Sequence, residues 1–112
     1  MFYSVLDNKE APKEAPKEKE NKPNWSIFPF TELEEVLKVF EFGAKKYGAP
    51  FTYRRGKGVD KNDLFAAIFR HLLEIHKENL IAEDSQCYHY AHIIANCLMA
   101  LSHIEKDEHQ WV

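Results

Sequence analysis

The segment from Cys87 to Glu105 constrains the fold more than any other part of the chain. Its spacing predicts a helix, and Ala91, Ile93, Ile94, Ala95, Cys97, Leu98 and Leu101 spread apolar side chains around most of its circumference. A helix of that kind belongs inside a fold. Within it His89, His92 and Asn96 follow at steps of three and four. At about 100° per residue they return to one stripe, and His103 falls near the same line. Polar groups on a buried helix need partners, since leaving them unpaired is costly. The partners are either other side chains of a core network or a ligand or metal at a functional site. Spacing alone does not separate the two readings.

The rest of the chain supplies two more helices. Leu33, Val36, Leu37, Phe40 and Ala44 recur at three- and four-residue steps, the signature of an amphipathic helix. Thr31 and Glu34 form a capping box at its start, and Gly48 terminates it. Gly43, inside it, costs about 1 kcal/mol relative to alanine and suggests close approach of a helix or ligand. Asp60 caps the next helix, with Asp63 in its first turn. Its expected core face is Leu64, Phe65, Ile68, Phe69, Leu72 and Ile75, with Arg70 and Glu74 as an i,i+4 pair. Asn79 to Gln86 is a polar loop, with Asp84 or Ser85 as the cap of the third helix. No segment alternates for long with a strand period. The fold class is therefore all-α, with three main helices at about 31–47, 60–78 and 86–105.

Residues 1–24 should form a disordered charged tail, leaving a single all-α domain over 25–112. Lys9 to Lys22 holds only Lys, Glu, Pro, Ala and Asn, with Glu-Ala-Pro-Lys twice, too little apolar surface to offset ordering entropy. Trp25 to Phe30 is expected to pack over the end of the core. A core drawn from so few residues is marginal alone, so a homodimer or higher homo-oligomer is expected. The 112 residues carry a net charge of −3, which argues against direct nucleic-acid binding. The two cysteines, Cys87 and Cys97, read as reduced core thiols. Neither a membrane-length apolar run nor a signal-peptide pattern is present, so the expected location is the cytoplasm.

Several residues point to chemistry. Glu32 and Glu35 lie one turn apart at the start of the first helix, a geometry that suits Mg²⁺ or Mn²⁺. Acids are also favoured in any first helical turn. The loop between Gly48 and Val59 combines Arg54, Arg55 and Lys57 with two glycines and two aromatics. It suits an anionic ligand or simply a solvated turn. Phosphate-loop spacing and a nucleophile elbow are both missing.

Taken in order, the blocks Trp25-Ser26-x-Phe28-Pro29, Leu33-Glu34-Glu35-Val36, Phe42-Gly43-Ala44-x-Lys46-Tyr47-Gly48, Arg70-His71-Leu72 and His89-x-x-His92-x-x-x-Asn96 resemble a known family. It is that of the small phage-associated dATP/dGTP diphosphohydrolases, similar to MazG-type all-α nucleotide pyrophosphohydrolases. The resemblance covers about residues 22 to 105. It implies cleavage of dATP or dGTP to the monophosphate and pyrophosphate with Mg²⁺ or Mn²⁺, in the cytoplasm of the host if phage-encoded. The implied roles are metal binding by Glu32 and Glu35, and catalysis by Glu35, His92 and Asn96. Substrate binding falls to Lys46, Tyr47, Arg54, Arg55, Arg70, His71 and His89. MazG-type enzymes pair Glu-x-x-Glu on one helix with Glu-x-x-Asp on another; here the later helix offers His92 and Asn96, leaving Glu74 and Glu78 as further acids. Two other readings are a non-catalytic nucleotide-binding or protein-interaction module and a small phage nucleotide kinase, some of which share a Lys-Tyr-centred helical motif.

Overall fold

The computed structural model describes the backbone of residues 21–55 and 58–109, with side chains described as far as residue 104. The tail expected over 1–24 lies almost wholly outside the described residues. Three helices carry the fold: α1 (Phe30–Tyr47), α2 (Lys61–His76) and α3 (His89–His109). Single 3-10 turns at Trp25–Ile27 and Thr52–Arg54 precede and follow α1. The all-α expectation holds; among the described residues the only extended pairing is one isolated bridge between Ile81 and Tyr88.

α3 is the central helix, touching α2 most extensively, then α1 and the Thr52–Arg54 turn. Small side chains let α1 come close. Ala91 and Ala95 are buried with Cys87 against Val36 and Val39, and Leu33, Phe40 and Met99 pack around them. α2 buries Leu64, with Ile68, His71 and Ile75 half-buried on the same side.

The helix ends correct several expectations. α1 begins at Phe30, with Pro29 as its N-cap and no side-chain cap bond, so Thr31 and Glu34 form no capping box. Leu33 N–H already donates to the Pro29 carbonyl at 3.1 Å, which draws the helix back past Thr31. Gly48 does end α1 in the left-handed region at φ 85°, and Asp60 caps α2 by accepting from Asn62 N–H at 2.8 Å. α3 starts at His89, beyond Asp84 and Ser85, because residues 80–89 first close on themselves. Ala82 N–H donates to the Cys87 carbonyl and His89 N–H to that of Leu80, both at 2.8 Å.

Packing corrects others. Trp25, Phe28 and Phe30 stack on one another instead of covering the core, and all three are exposed. Phe65, Phe69 and Leu72 are exposed rather than core residues, since α2 turns only its Leu64–Ile75 side inward. Cys97 is exposed and only Cys87 is a core thiol. Glu74 does not pair with Arg70; it meets Lys77 at 3.8 Å and Asn79 at 3.0 Å. A Cβ on Gly43 would meet nothing within 4 Å, so no close packing explains that glycine. Gly58 is different, because a Cβ there would collide with the Tyr53 carbonyl.

Ala95 has no solvent exposure, and the α1–α3 seam depends on its size. Ala95→Leu is expected to cost about 1–3 kcal/mol through overpacking, measured by denaturant unfolding.

Candidate active site

Two concavities lie at successive levels of the α2–α3 pair. The first is a polar hollow of about 1060 Å³ lined by Arg70, His71, Glu74, Glu78, Asp84 and His89, among others. The second is an apolar cleft of about 600 Å³ among α1, the loop after it, the start of α2 and the middle of α3.

A histidine cluster borders the hollow. His71 Nδ1 lies 2.7 Å from His89 Nδ1, so one ring donates and the other accepts. The His71 ring stacks on His92, centroids 4.6 Å apart at 11°. His92 Nε2 is 2.7 Å from Ser85 Oγ, and the same Oγ accepts from Cys87 N–H at 3.2 Å. Burial drives the His71 pKa down to about 4, helped by His92, His89 and Arg70 and opposed by Asp84. Burial also lowers His92, against the pull of Asp84. Both rings are thus neutral at pH 7. A neutral His92 with its proton on Nδ1 accepts from the Ser85 hydroxyl at Nε2; with the proton on Nε2 it donates to that oxygen.

Glu78 stands at the edge of the hollow in an unusual backbone state. α2 ends in a Schellman turn, with Glu78 N–H donating to the Ile75 carbonyl at 2.8 Å and Asn79 N–H to that of Glu74 at 2.9 Å. Glycine ordinarily fills the left-handed position of such a turn. Here Glu78 occupies it at φ 69°. The helix-periodic reading of 60–78 could not show this, because it ran α2 through Glu78.

The residues expected to act together are divided. His71, His89 and Arg70 line the hollow, with His92 stacked behind His71. Asn96 belongs to the apolar cleft, with Tyr47. Arg54 lies over the Phe51 ring at 4.6 Å, Lys46 over that of Tyr47 at 5.4 Å, and Arg55 is exposed on the same loop. Glu32 and Glu35 line neither concavity, and Glu35 is 3.2 Å from Lys38. His103 lies beside Gly58, its Nε2 buried with no hydrogen-bond partner among the described residues. Ser85 and Asp84 are the contributors that sequence reasoning missed. They were read as helix caps, and only the closed loop at 80–89 turns them to the histidines.

The chain matches the family described as dATP/dGTP diphosphohydrolase, N-terminal, over residues 12–110. It belongs to that family. No curated protein and no solved structure matches it. The family's description names a hydrolase of deoxypurine triphosphates, and the histidine cluster lies within the matched span. Among the described residues no helix is long and apolar enough to cross a membrane.

The cluster carries a pH signature. A histidine whose folded pKa is depressed contributes stability that is intact above its unfolded value, about 6.5. That stability is lost as pH falls toward the folded value, about 4 for His71, because the unfolded chain binds the proton more readily. Melting temperature should be level above about pH 7 and decline from about pH 6.5, before carboxylates titrate. His71→Asn should flatten the decline between about pH 6.5 and 5, as read by thermal melts in matched buffers.

Proposed function

We propose that this chain hydrolyses dATP and dGTP to the monophosphate and pyrophosphate, with the polar hollow as the reaction site. The observation that carries the choice of site is Glu78. A non-glycine residue in the left-handed region costs about 1–2 kcal/mol, and strain of this kind gathers at functional positions. Glu78 lines the same hollow as His71, Asp84 and Arg70.

Water attacks the α-phosphorus, the bond from that phosphorus to the oxygen bridging the β-phosphorus breaks, and pyrophosphate leaves. Glu78 accepts the proton that the water gives up. Arg70 offsets phosphate charge, as cationic groups do in phosphoryl chemistry. Neutral His71 adds no positive charge to the hollow, and His92 holds the Ser85 loop in place. Mg²⁺ or Mn²⁺ takes one or two carboxylates together with substrate phosphates and water. Among the described residues no three ligating side chains converge. Glu74 and Asp84 would hold the ion, and when bound it neutralises triphosphate charge. Glu32 and Glu35 are the competing acid pair.

We further propose that the working form is a homodimer. Among the described residues no large side chain is fully buried, so the core is small. On α3, Tyr90, Ile94, Cys97, Leu101 and Ile104 are all exposed. They follow one another at alternating steps of four and three, the spacing of a helix–helix seam. On α2, exposed Phe65, Phe69 and Leu72 start the same alternation. A second copy, meeting the first around a two-fold axis, presents the matching stripe.

Product analysis on dATP and dGTP with Mg²⁺ or Mn²⁺ tests the reaction. Pyrophosphate and monophosphate are expected. ADP formed from ATP and a deoxynucleoside monophosphate would mark a kinase, and binding without turnover a non-catalytic module. Glu78→Gly should abolish turnover while raising stability by up to about 1 kcal/mol, since glycine relieves the left-handed strain. Glu35→Gln should keep turnover. The reverse pattern would move the reaction to α1. Leu101→Lys should convert a dimer to a monomer in light scattering; a wild-type monomer at micromolar concentration overturns the interface.

A further inference from the structure

The apolar cleft has features that the hollow does not use. Phe40, Phe51 and Tyr53 bring aromatic rings to it, with ring pairs edge-on at 5.9 and 6.1 Å between centroids. Phe51 is itself held at φ 62°, a rare state for a bulky residue. Among these apolar walls lies one half-buried amide, Asn96. Among the described residues no side-chain hydrogen bond engages it, although His92, one turn earlier, is bonded to Ser85. An amide left open in an apolar wall is suited to fixing the orientation of a ligand.

We propose that this cleft holds the purine base of the substrate, with Asn96 reading the base edge. The inference rests on the hydrolase reading above and deepens it. Flat aromatic and apolar walls suit a purine ring and a sugar that lacks a 2′-hydroxyl. The Arg54 guanidinium over Phe51 and the Lys46 ammonium over Tyr47 lie on the outer faces of rings that line the cleft. Adenine presents a 6-amino donor beside the N1 acceptor. Guanine presents the O6 acceptor beside the N1–H donor. A carboxamide has one donor and one acceptor side by side. Turned one way it pairs with adenine, and turned by half a rotation it pairs with guanine. Because no hydrogen bond among the described residues holds the Asn96 side chain in either orientation, one residue serves both bases. Asp63, also at the cleft, only accepts, which suits the N1–H and 2-amino groups of guanine.

Gly43 gives an independent handle. It lines the cleft, and a side chain there meets open space. Gly43→Leu therefore adds bulk to the cleft from α1, leaving Asn96 and the residues of the hollow unchanged in sequence.

The test is calorimetric binding of dAMP and dGMP against deoxyribose 5-phosphate, with no metal and no turnover required. The full-length chain should bind both nucleotides more tightly than the baseless sugar phosphate. Asn96→Leu should erase roughly ten-fold or more of that preference for both bases, as expected for loss of a bidentate pair. Gly43→Leu should do the same with melting temperature unchanged or raised, so that lost folding cannot explain the loss. Equal binding of nucleotide and baseless sugar phosphate by the wild type overturns the pocket, as does wild-type preference in both variants. Pyrophosphate release is assayed separately. Active enzyme with unaltered base preference in the variants refutes the cleft alone. Base-dependent binding without hydrolysis refutes the hydrolase reading and leaves the cleft standing.

Discussion

The fold depends on how closely α3 approaches α1. Ala91 and Ala95 present nothing beyond a methyl group to Val36 and Val39, so only the α1 side chains fill the space between the two helices there. That contact fixes the rotation of α3 about its own axis. With the alanines committed to α1, the stripe a third of a turn away carries His92, Asn96 and His103 into the notch beside α2. The opposite side, from Tyr90 to Ile104, is left facing outward. The same two alanines thus set both the histidine cluster and the exposed seam.

Helix existence was readable in the chain because it follows from local periodicity and punctuation. Gly48 and Asp60 do what their chemistry requires, and the three helices appear where the apolar spacing puts them. What failed was the inference from apolar to buried. Phe65, Phe69, Leu72 and Cys97 obey helical periodicity as well as Leu64 and Ala95 do. Nothing local states that the chain has only enough mass to cover one side of each helix. Thr31 failed for another reason. Capping-box spacing is satisfied by sequence alone, but the Pro29 carbonyl captures the Leu33 N–H first.

The site shows the same division. The stripe of His89, His92 and Asn96 was visible, and its polar members did need partners. Their identity was not visible, because the partners come from elsewhere in the chain. His71 arrives from α2, and Ser85 from a loop whose closure depends on backbone bonds between residues 80 and 89. The two readings of the stripe, core network and functional site, also turn out to be compatible. His89 and His92 are a bonded network that borders a hollow, while Asn96 stands apart from it in an apolar wall.

That separation has a length. His89 and Asn96 are seven residues apart on one helix, which at about 1.5 Å per residue is about 10 Å along the axis. Along α2 the same order recurs: Asp63, Leu64 and Ala67 belong to the cleft, and Arg70, His71 and Glu74 to the hollow. The two concavities are therefore staggered in register on both helices, apolar at one level and charged at the next. A molecule with a flat apolar end and a polyanionic end, joined by a short spacer, matches that arrangement, and a nucleoside triphosphate has this shape. With the base at Asn96 and the phosphates by Arg70, the triphosphate charge would stay out of the apolar cleft. Each end would pay a desolvation cost in the other's position. The polarity of the two levels would thus orient a nucleoside triphosphate before any single hydrogen bond does.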